Sequence, residues 1–440
     1  MSMPTTPPSG FRDFLPHTQA VRTKAVETVS RVYRSFGFNE IGTTCVEELK
    51  VLTGKAGTEN EKLIFKILKR GEKLDLAQGT QELADLGLRF ELTLSLARYY
   101  VRHESVLPHP FKVFNMGPVW RAERAQKGRY REFWQCDADV IGSDHWGCEV
   151  DVISAMTEAF LALGMGCPTV LLNDRTLISA LLDSAGVPAE KRTEAMILLD
   201  KLDKLPEDKV LADLSALVGP EAAKTVKERV VSGGSDPESF KDLAPEAVAR
   251  LSRILGMLRS SFGEADKFKL APSLMRGLDY YTGPVFEFKF PGMAGSVGGG
   301  GRYDGLVGKF SGRPVPACGG SIGLERVMLI LEERGEAAAS GPDACVTVFA
   351  EELRERSLQA AAALRKAGLS ADVYPGSRPL RDQFKYADHR KASFVLIIGP
   401  DEAAAGKVKV KDLKTGEERL EDAGNAAASV KSRLGPSAGT

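Results

Sequence analysis

No run in this 440-residue sequence is long and apolar enough to cross a membrane, and the opening MSMPTTPPSGFRDF holds no apolar segment flanked by charge. The six cysteines (Cys45, Cys136, Cys148, Cys167, Cys318, Cys345) include no C-x-x-C pair, and the five histidines show no H-E-x-x-H or related ligand spacing. Neither a disulfide framework nor a metal site is read from them; the thiols are read as free and the protein as cytoplasmic. Charge of one sign is also lacking: 59 Lys and Arg balance 59 Asp and Glu, which gives no support for a DNA-coating or membrane-surface protein. The two common phosphate loops are absent. The nearest approach to G-x-x-x-x-G-K-[ST] ends in GLVGKF with Tyr303 at the first glycine, and no G-x-G-x-x-G opens a helix after a strand. A bound nucleotide would have to be held by side chains rather than by a backbone cradle.

What is present fits a globular protein of two or three domains, since the length exceeds a single hydrophobic core. From His17 to Phe36 the apolar Val21, Ala25, Val29, Val32 and Phe36 recur every three or four residues and predict a helix with one buried face. The runs FKVFNMGPVW, REFWQCDADVIG, PTVLLN, GPVFEFKF, ACVTVFA and ASFVLIIG, each bounded by Gly, Pro or Asn, predict strands. Several follow one another without intervening helices, so the large domain is predicted to be α+β with an antiparallel sheet. From about Pro188 to Phe262 the sequence turns helical and Glu/Lys-rich, as an insertion would. Sheet-like sequence resumes at Lys269 and closes with the helical GLERVMLILEERGE. After the linker AAASGPDA, helices and strands alternate, which predicts a small α/β domain. The glycines of GGGGRYDG are read as serving close backbone approach.

The densest cluster is FKVFNMGPVWRAERAQKGRYREFWQCDADVIG. Arg121, Arg124, Lys127, Arg129 and Arg131 face a single carboxylate, Glu123, within eleven residues. A solvated hairpin tip would account for the charge, but Trp120, Tyr130, Phe133 and Trp134 interleave with it. Guanidinium groups beside aromatic surface suit a purine and its phosphates. Gln135, Asp137 and Asp139 alternate along the following strand and share one face; either an edge strand facing water or a pocket for a cationic or amide-bearing molecule accounts for them. Glu91 and Thr93 repeat the i, i+2 pattern, and GGSIGLERV puts Arg326 at the start of a helix.

Together these segments resemble the class II aminoacyl-tRNA synthetases, and within them the histidyl-tRNA synthetase family. Arg121-Ala122-Glu123 followed by Arg129 and Phe133 is similar to the second class II motif, and GGSIGLER to the third. RGLDYYTG (Arg276 to Gly283), GGGGRYDG and the Gln135/Asp139 pair resemble signatures of the histidyl enzymes. The resemblance implies a class II antiparallel sheet flanked by helices, in two parts (1–187 and 266–336) separated by a helical insertion (188–265), then a C-terminal α/β anticodon-binding domain (343–436). It implies that histidine and ATP form histidyl-adenylate, with Mg2+ carried mainly by the ATP phosphates, and that tRNA(His) then takes the acyl group. By the same matching Arg121 holds the α-phosphate, Glu123 and Phe133 recognise and stack the adenine, Arg129 also binds ATP, and Arg326 meets the γ-phosphate. Arg276 supplies charge at the reacting carboxylate and phosphate. The amino-acid pocket is made by Glu91, Thr93, Arg121, Gln135, Asp139, Arg276, Tyr280 and Tyr281, with Asp139 and Tyr281 on the two imidazole nitrogens. A homodimer is implied, although Thr44 and Ser95 stand where the family commonly has proline.

Two other readings are weighed. A histidyl-synthetase-like regulatory subunit of ATP phosphoribosyltransferase would be expected to lack the last domain and an intact RGLDYYTG. A non-catalytic RNA-binding descendant would have lost Arg121, Gln135, Arg276 or Arg326. Arg124, Lys127, Arg381 and Lys385 are candidate tRNA phosphate contacts, surface charge being an equal explanation.

Overall fold

The computed structural model describes residues 3–54, 61–75, 79, 82–125, 128–203, 205–275, 280–293, 295–335 and 341–434. The chain divides into two compact units, Met1–Asp13 with Arg22–Glu336, and Phe14–Val21 with Ala337–Thr440.

In the first unit the strands are β1 (Asn39–Ile41), β2 (Val46–Glu48), β3 (Lys66–Leu68), β4 (Ala84–Leu88), β5 (Phe111–Trp120), β6 (Glu132–Ile141), β7 (Thr169–Asp174), β8 (Phe268–Leu270), β9 (Pro284–Lys289), β10 (Gly298–Arg302) and β11 (Ala317–Gly323). Eight of them form one sheet in the order β1-β5-β6-β11-β10-β9-β7-β8. Every neighbouring pair is antiparallel except the two at the margins, β1 with β5 and β7 with β8. The strand runs expected from sequence supply β5, β6, β7 and β9. The small sheet β2-β4-β3 was not anticipated, because its strands are short and broken by charge. Helices occupy the connection between β7 and β8, among them Arg192–Leu199, Glu207–Val218 and Pro245–Phe262 in the stretch expected to be helical.

The position of β6 removes the edge-strand alternative. Its partners are β5 on one side and β11 on the other, so its acidic face lies in the middle of the sheet. The helix Gly147–Ala162, apolar around most of its circumference, covers the opposite face of β6 and β11.

GGGGR is strand β10, paired with β9 and β11, and the glycines do serve close approach. A Cβ at Gly300 would overlap the Gly319 carbonyl and the Phe286 ring, while one at Gly319 would overlap Asp139. The arginine that ends this strand is not available to a ligand. Arg302 makes a two-pronged ion pair with fully buried Glu149, at 2.6 and 2.9 Å, and also bonds Asp304 and the Ser143 carbonyl.

The predicted amino-terminal helix is Pro16–Ser35, and Ala25, Val29 and Val32 are buried on it as the spacing requires. Arg22 is buried beside them. Its guanidinium reaches Glu325 at 2.7 Å, and the other oxygen of Glu325 accepts the Trp134 backbone N–H at 2.9 Å. Arg12 adds a second cation at 3.6 Å. Removing a carboxylate from such a buried cluster costs its ion pairs and its hydrogen bond to the Trp134 amide. Glu325→Ala is therefore expected to lower stability by about 3 kcal/mol, read as a shift in the denaturant midpoint at unchanged slope.

The second unit has the sheet order β13-β12-β14-β15-β16, with β12 (Ala344–Val346), β13 (Ala371–Val373), β14 (Phe394–Ile397), β15 (Lys407–Asp412) and β16 (Glu418–Asp422). Alternation along β12 and β14 sorts the side chains to two faces. Ala344, Val346, Phe394 and Leu396 pack with helices Arg354–Lys366 and Ala426–Leu434, whereas Cys345 and Val395 pack with Ala387 of helix Leu380–His389. The α/β alternation is as expected; the β15–β16 hairpin and the last helix are additions.

Candidate active site

Two cavities adjoin on the face of the sheet away from helix Gly147–Ala162. One, of about 280 Å³, is lined by residues including Arg121, Glu123, Arg129, Phe133 and Arg326. The other, of about 150 Å³, is lined by residues including Glu91, Thr93, Asp139, Tyr280 and Tyr281. Arg121, Gln135, Gly299 and Ser321 belong to both walls. The glycines of β10 and β11 keep the floor low enough for the two spaces to meet.

The larger cavity is cationic and aromatic. Arg121 is at the end of β5, where its Nε donates to the Phe90 carbonyl at 3.0 Å and its guanidinium lies 4.9 Å from the centre of the Phe133 ring. The inner guanidinium edge is thus fixed, and the remaining N–H groups are free to meet an anion. Glu123 pairs with Arg129 at 2.7 Å across the loop between β5 and β6. Arg326, in the first turn of helix Leu324–Glu333, donates to the Ser296 carbonyl on the far wall. Tyr130 carries the Arg12 guanidinium 3.3 Å above its ring. Trp120 and Trp134, which interleave with the basic residues in sequence, do not line either cavity: Trp120 bonds Glu132 and Trp134 lies against Arg22.

The smaller cavity is acidic. Asp137 and Asp139 are each 3% exposed, on neighbouring i, i+2 positions of β6. Tyr303 donates to Asp139 Oδ1 at 2.5 Å, leaving Oδ2 buried without a hydrogen bond. Burial pushes the Asp139 carboxyl up to about 7; the Tyr303 hydrogen bond opposes this and the Glu91 charge adds to it. Asp137 is raised by burial and by the charge of Asp139, and Glu91 by burial against the pull of Arg121. Three carboxylates thus converge, and among the described residues Arg121 is the one cation lining this cavity, an arrangement that favours a positively charged or N–H-rich ligand. Tyr280 and Tyr281, on the same cavity, lie tilted against each other at 51°, with ring centres 4.5 Å apart and hydroxyls 3.3 Å apart.

The structure therefore gathers Glu91, Thr93, Arg121, Glu123, Arg129, Phe133, Gln135, Asp139, Tyr280, Tyr281 and Arg326 around the paired cavities. Arg276 lies outside the described residues, as does Lys127. Glu91 and Thr93 do not alternate on a strand as their spacing suggested: β4 ends at Leu88 and Thr93 begins helix Thr93–His103, the two reaching the cavity from the connection and the helix start. Arg124, Arg381 and Lys385 are exposed. Sequence reasoning gave no role to Tyr303 and Ser321; the signal available was their place in GGGGRYDG and GGSIGLER.

The sequence matches the family model for histidyl-tRNA synthetase over residues 10–327. The chain belongs to the histidyl-tRNA synthetase family. Residues 343–433, which fall within the second unit described above, match an anticodon binding domain. Histidine–tRNA ligase of Leifsonia xyli is 40% identical over 79% of this chain and 84% of its own length, and that of Rhodopirellula baltica is 36% identical over 93% of each. Among solved structures, histidyl-tRNA synthetase from Nostoc sp. PCC 7120 superposes with a TM-score of 0.84 at 31% identity, covering 98% of this chain and 100% of that one. A structure titled ATP phosphoribosyltransferase regulatory subunit/histidyl-tRNA synthetase, from Bacillus halodurans, gives 0.73 at 20% identity, over 91% of this chain and 100% of that one; it shares the fold.

Where proline was expected from the family resemblance, this chain uses hydroxyl residues. Thr44 closes a local turn, its Oγ1 donating to the Val46 carbonyl at 2.9 Å, and its own carbonyl accepts from Arg89 at 3.3 Å. Ser95 is fully buried on helix Thr93–His103.

Proposed function

We propose that this chain joins L-histidine to tRNA(His) at the expense of ATP, through a histidyl-adenylate (histidine–tRNA ligase, EC 6.1.1.21). The observation that carries the reading is the shared wall: Arg121 and Gln135 line both the cationic, aromatic cavity and the acidic, phenolic one, so a nucleotide in the first and an amino acid in the second would meet at Arg121. The full-length similarity to histidine–tRNA ligases supports it, and does not favour the regulatory-subunit alternative.

In this reading the adenine lies on Phe133 with Glu123 and Arg129 beside it, Arg121 takes the α-phosphate and Arg326 the γ-phosphate. The histidine carboxylate is already ionised at neutral pH and needs no base to attack. What it needs is neutralisation of the charge gathering between two anions, and preorganised guanidinium groups in a water-poor cavity supply that. Arg121 does so from just beyond the end of β5, and Arg276 is assigned the same task by its motif. The α-ammonium group goes to Glu91, Thr93 and Gln135, and the imidazole spans Asp139 and Tyr281. Mg2+ accompanies ATP, bound mainly by phosphate oxygens, which suit a hard cation. The second unit takes the anticodon stem, with Arg381 and Lys385 as candidate phosphate contacts there, while Arg124 and Lys127, between β5 and β6 in sequence, are candidate contacts to other tRNA phosphates. The catalytic parts are 1–187 and 266–336, with the insertion at 188–265 and the anticodon-binding domain at 343–436. The protein works as a cytoplasmic homodimer; among the described residues no helix is long and apolar enough to cross a membrane.

The test is pyrophosphate exchange with each of the twenty amino acids. Exchange is expected with histidine alone, and Arg276→Ala is expected to abolish it while leaving the thermal transition in place. Exchange driven by another amino acid, or none by folded protein, would reject the reading.

A pH dependence follows from Asp139. Its carboxylate accepts an imidazole N–H only when ionised, and its value in the empty site is about 7. The KM for histidine is therefore expected to fall as pH rises from 6 to 8, with the KM for ATP nearly flat. The accompanying sign on stability is the reverse. An acid whose folded pKa exceeds its unfolded value near 4 stabilises the fold fully below that value, and the contribution is lost as pH climbs toward 7.

A further inference from the structure

Gln135 poses a question of polarity. Its Nε2 donates to Ser321 Oγ at 2.9 Å, and its Oε1 is buried in the acidic cavity with no hydrogen bond. A carboxamide turned end for end keeps its shape and exchanges donor for acceptor. Something must choose which end meets the ligand, because an NH2 group facing an ammonium would repel it.

Ser321 has one proton to give. In the β6–β11 register Asp137 lies directly opposite Ser321, with Gln135 two residues away on the same face, which sets the Ser321 hydroxyl beside the Asp137 carboxylate, whose ionised form it favours. A hydroxyl whose proton is committed to a carboxylate can only accept from its other neighbour. Gln135 must then turn its NH2 group to Ser321 and its carbonyl oxygen to the cavity. We propose that Asp137 and Ser321 form a relay that sets Gln135 as an acceptor, making this pair the positioning residues for recognition of the amino acid's α-ammonium group. The inference rests on the reading that the acidic cavity takes histidine.

The other oxygen of Asp137 supports it. Oδ1 is buried without a hydrogen bond in the wall of the same cavity, the condition of a carboxylate whose partner arrives with the substrate. Asp137 is raised by burial and by Asp139, so the empty site resists its full ionisation. An arriving ammonium favours the charged form by Coulomb attraction, and so reinforces the polarity already present in the relay.

The full-length protein is compared with Ser321→Ala, Ser321→Thr and Asp137→Asn in histidine-dependent pyrophosphate exchange. Two competing ligands separate the ends of the substrate: L-histidinol keeps the ammonium and lacks the carboxylate, and 3-(imidazol-4-yl)propionate keeps the carboxylate and lacks the ammonium. Ser321→Ala is expected to raise the KM for histidine and the Ki for histidinol about tenfold, with kcat, the KM for ATP and the Ki for the propionate within about twofold. Asp137→Asn raises the same two constants, and Ser321→Thr, which keeps the hydroxyl, restores both. Equal weakening of the two analogues, a loss confined to kcat, or a Thr variant no better than Ala would overturn the relay. Unaltered protein without histidine-dependent exchange would sink the parent reading along with it; histidine-dependent exchange with unshifted variants would sink the relay alone.

Discussion

Asp139→Ala is expected to lower kcat/KM for histidine by roughly 10³-fold while leaving the KM for ATP within about twofold. The expectation comes from how the carboxylate is divided. One oxygen is held by Tyr303 at 2.5 Å, which fixes the plane of the group, and the other is buried and unbonded in the acidic cavity. A site that has already desolvated its acceptor loses most when that acceptor is deleted, because the ring N–H of the ligand is then buried without the partner placed for it. The alanine variant also strands the Tyr303 hydroxyl. Asp139→Asn separates charge from shape: Tyr303 continues to donate to the remaining oxygen, which turns the amide NH2 toward the ring and offers a donor where an acceptor is required. Both variants are expected to fail in exchange with comparable severity. A loss below about tenfold in either would remove Asp139 from imidazole recognition.

Arg121→Ala is expected to cut kcat for exchange by 10²–10³-fold, the typical cost of deleting a single preorganised charge donor. Three observations set this arginine apart from its neighbours. It lines both cavities, its Nε is tied to the Phe90 carbonyl, and its plane lies against Phe133. Position and orientation are therefore settled before any ligand arrives. Arg121→Lys keeps the charge and loses the fork and the stacking plane, so it is expected to recover little. Arg124→Ala, which removes an exposed cation three residues away, serves as the comparison and is expected to change exchange by less than twofold. Steady-state exchange with saturating histidine measures all three, with the thermal transition monitored to confirm folding. An Arg121→Ala protein with near-normal kcat would detach the larger cavity from the chemistry.

The site was partly legible in the letters and for an identifiable reason. Positive charge is concentrated in the loop between β5 and β6, and the bracketing strands carry clear alternation, so Arg121, Phe133, Gln135 and Asp139 could be singled out before any fold was known. Tyr303 could not. It is separated from Asp139 by 164 positions, and nothing in a local window distinguishes a phenol that orients a carboxylate from one that fills a core. Glu325 is a similar case: in sequence it is an ordinary acid at a helix start, while in the fold it collects Arg22, Arg12 and the Trp134 amide. The choice between an edge strand and a pocket for Gln135, Asp137 and Asp139 also stayed open until the sheet order was available.

By itself the sequence determined the conformation of most long elements, the side of each strand that carries polar groups, and the family. These follow from short-range sterics and from spacings of two, three and four residues, which every stretch of chain carries within itself. Tertiary structure alone decided that β6 is central and its acids buried, that glycines of β10 and β11 leave room for two cavities to share a wall, and which hydroxyl meets which carboxylate. Those outcomes depend on strand order and on pairs brought together across more than a hundred residues, and the free energy that selects them comes from burial and from partners that no local segment contains.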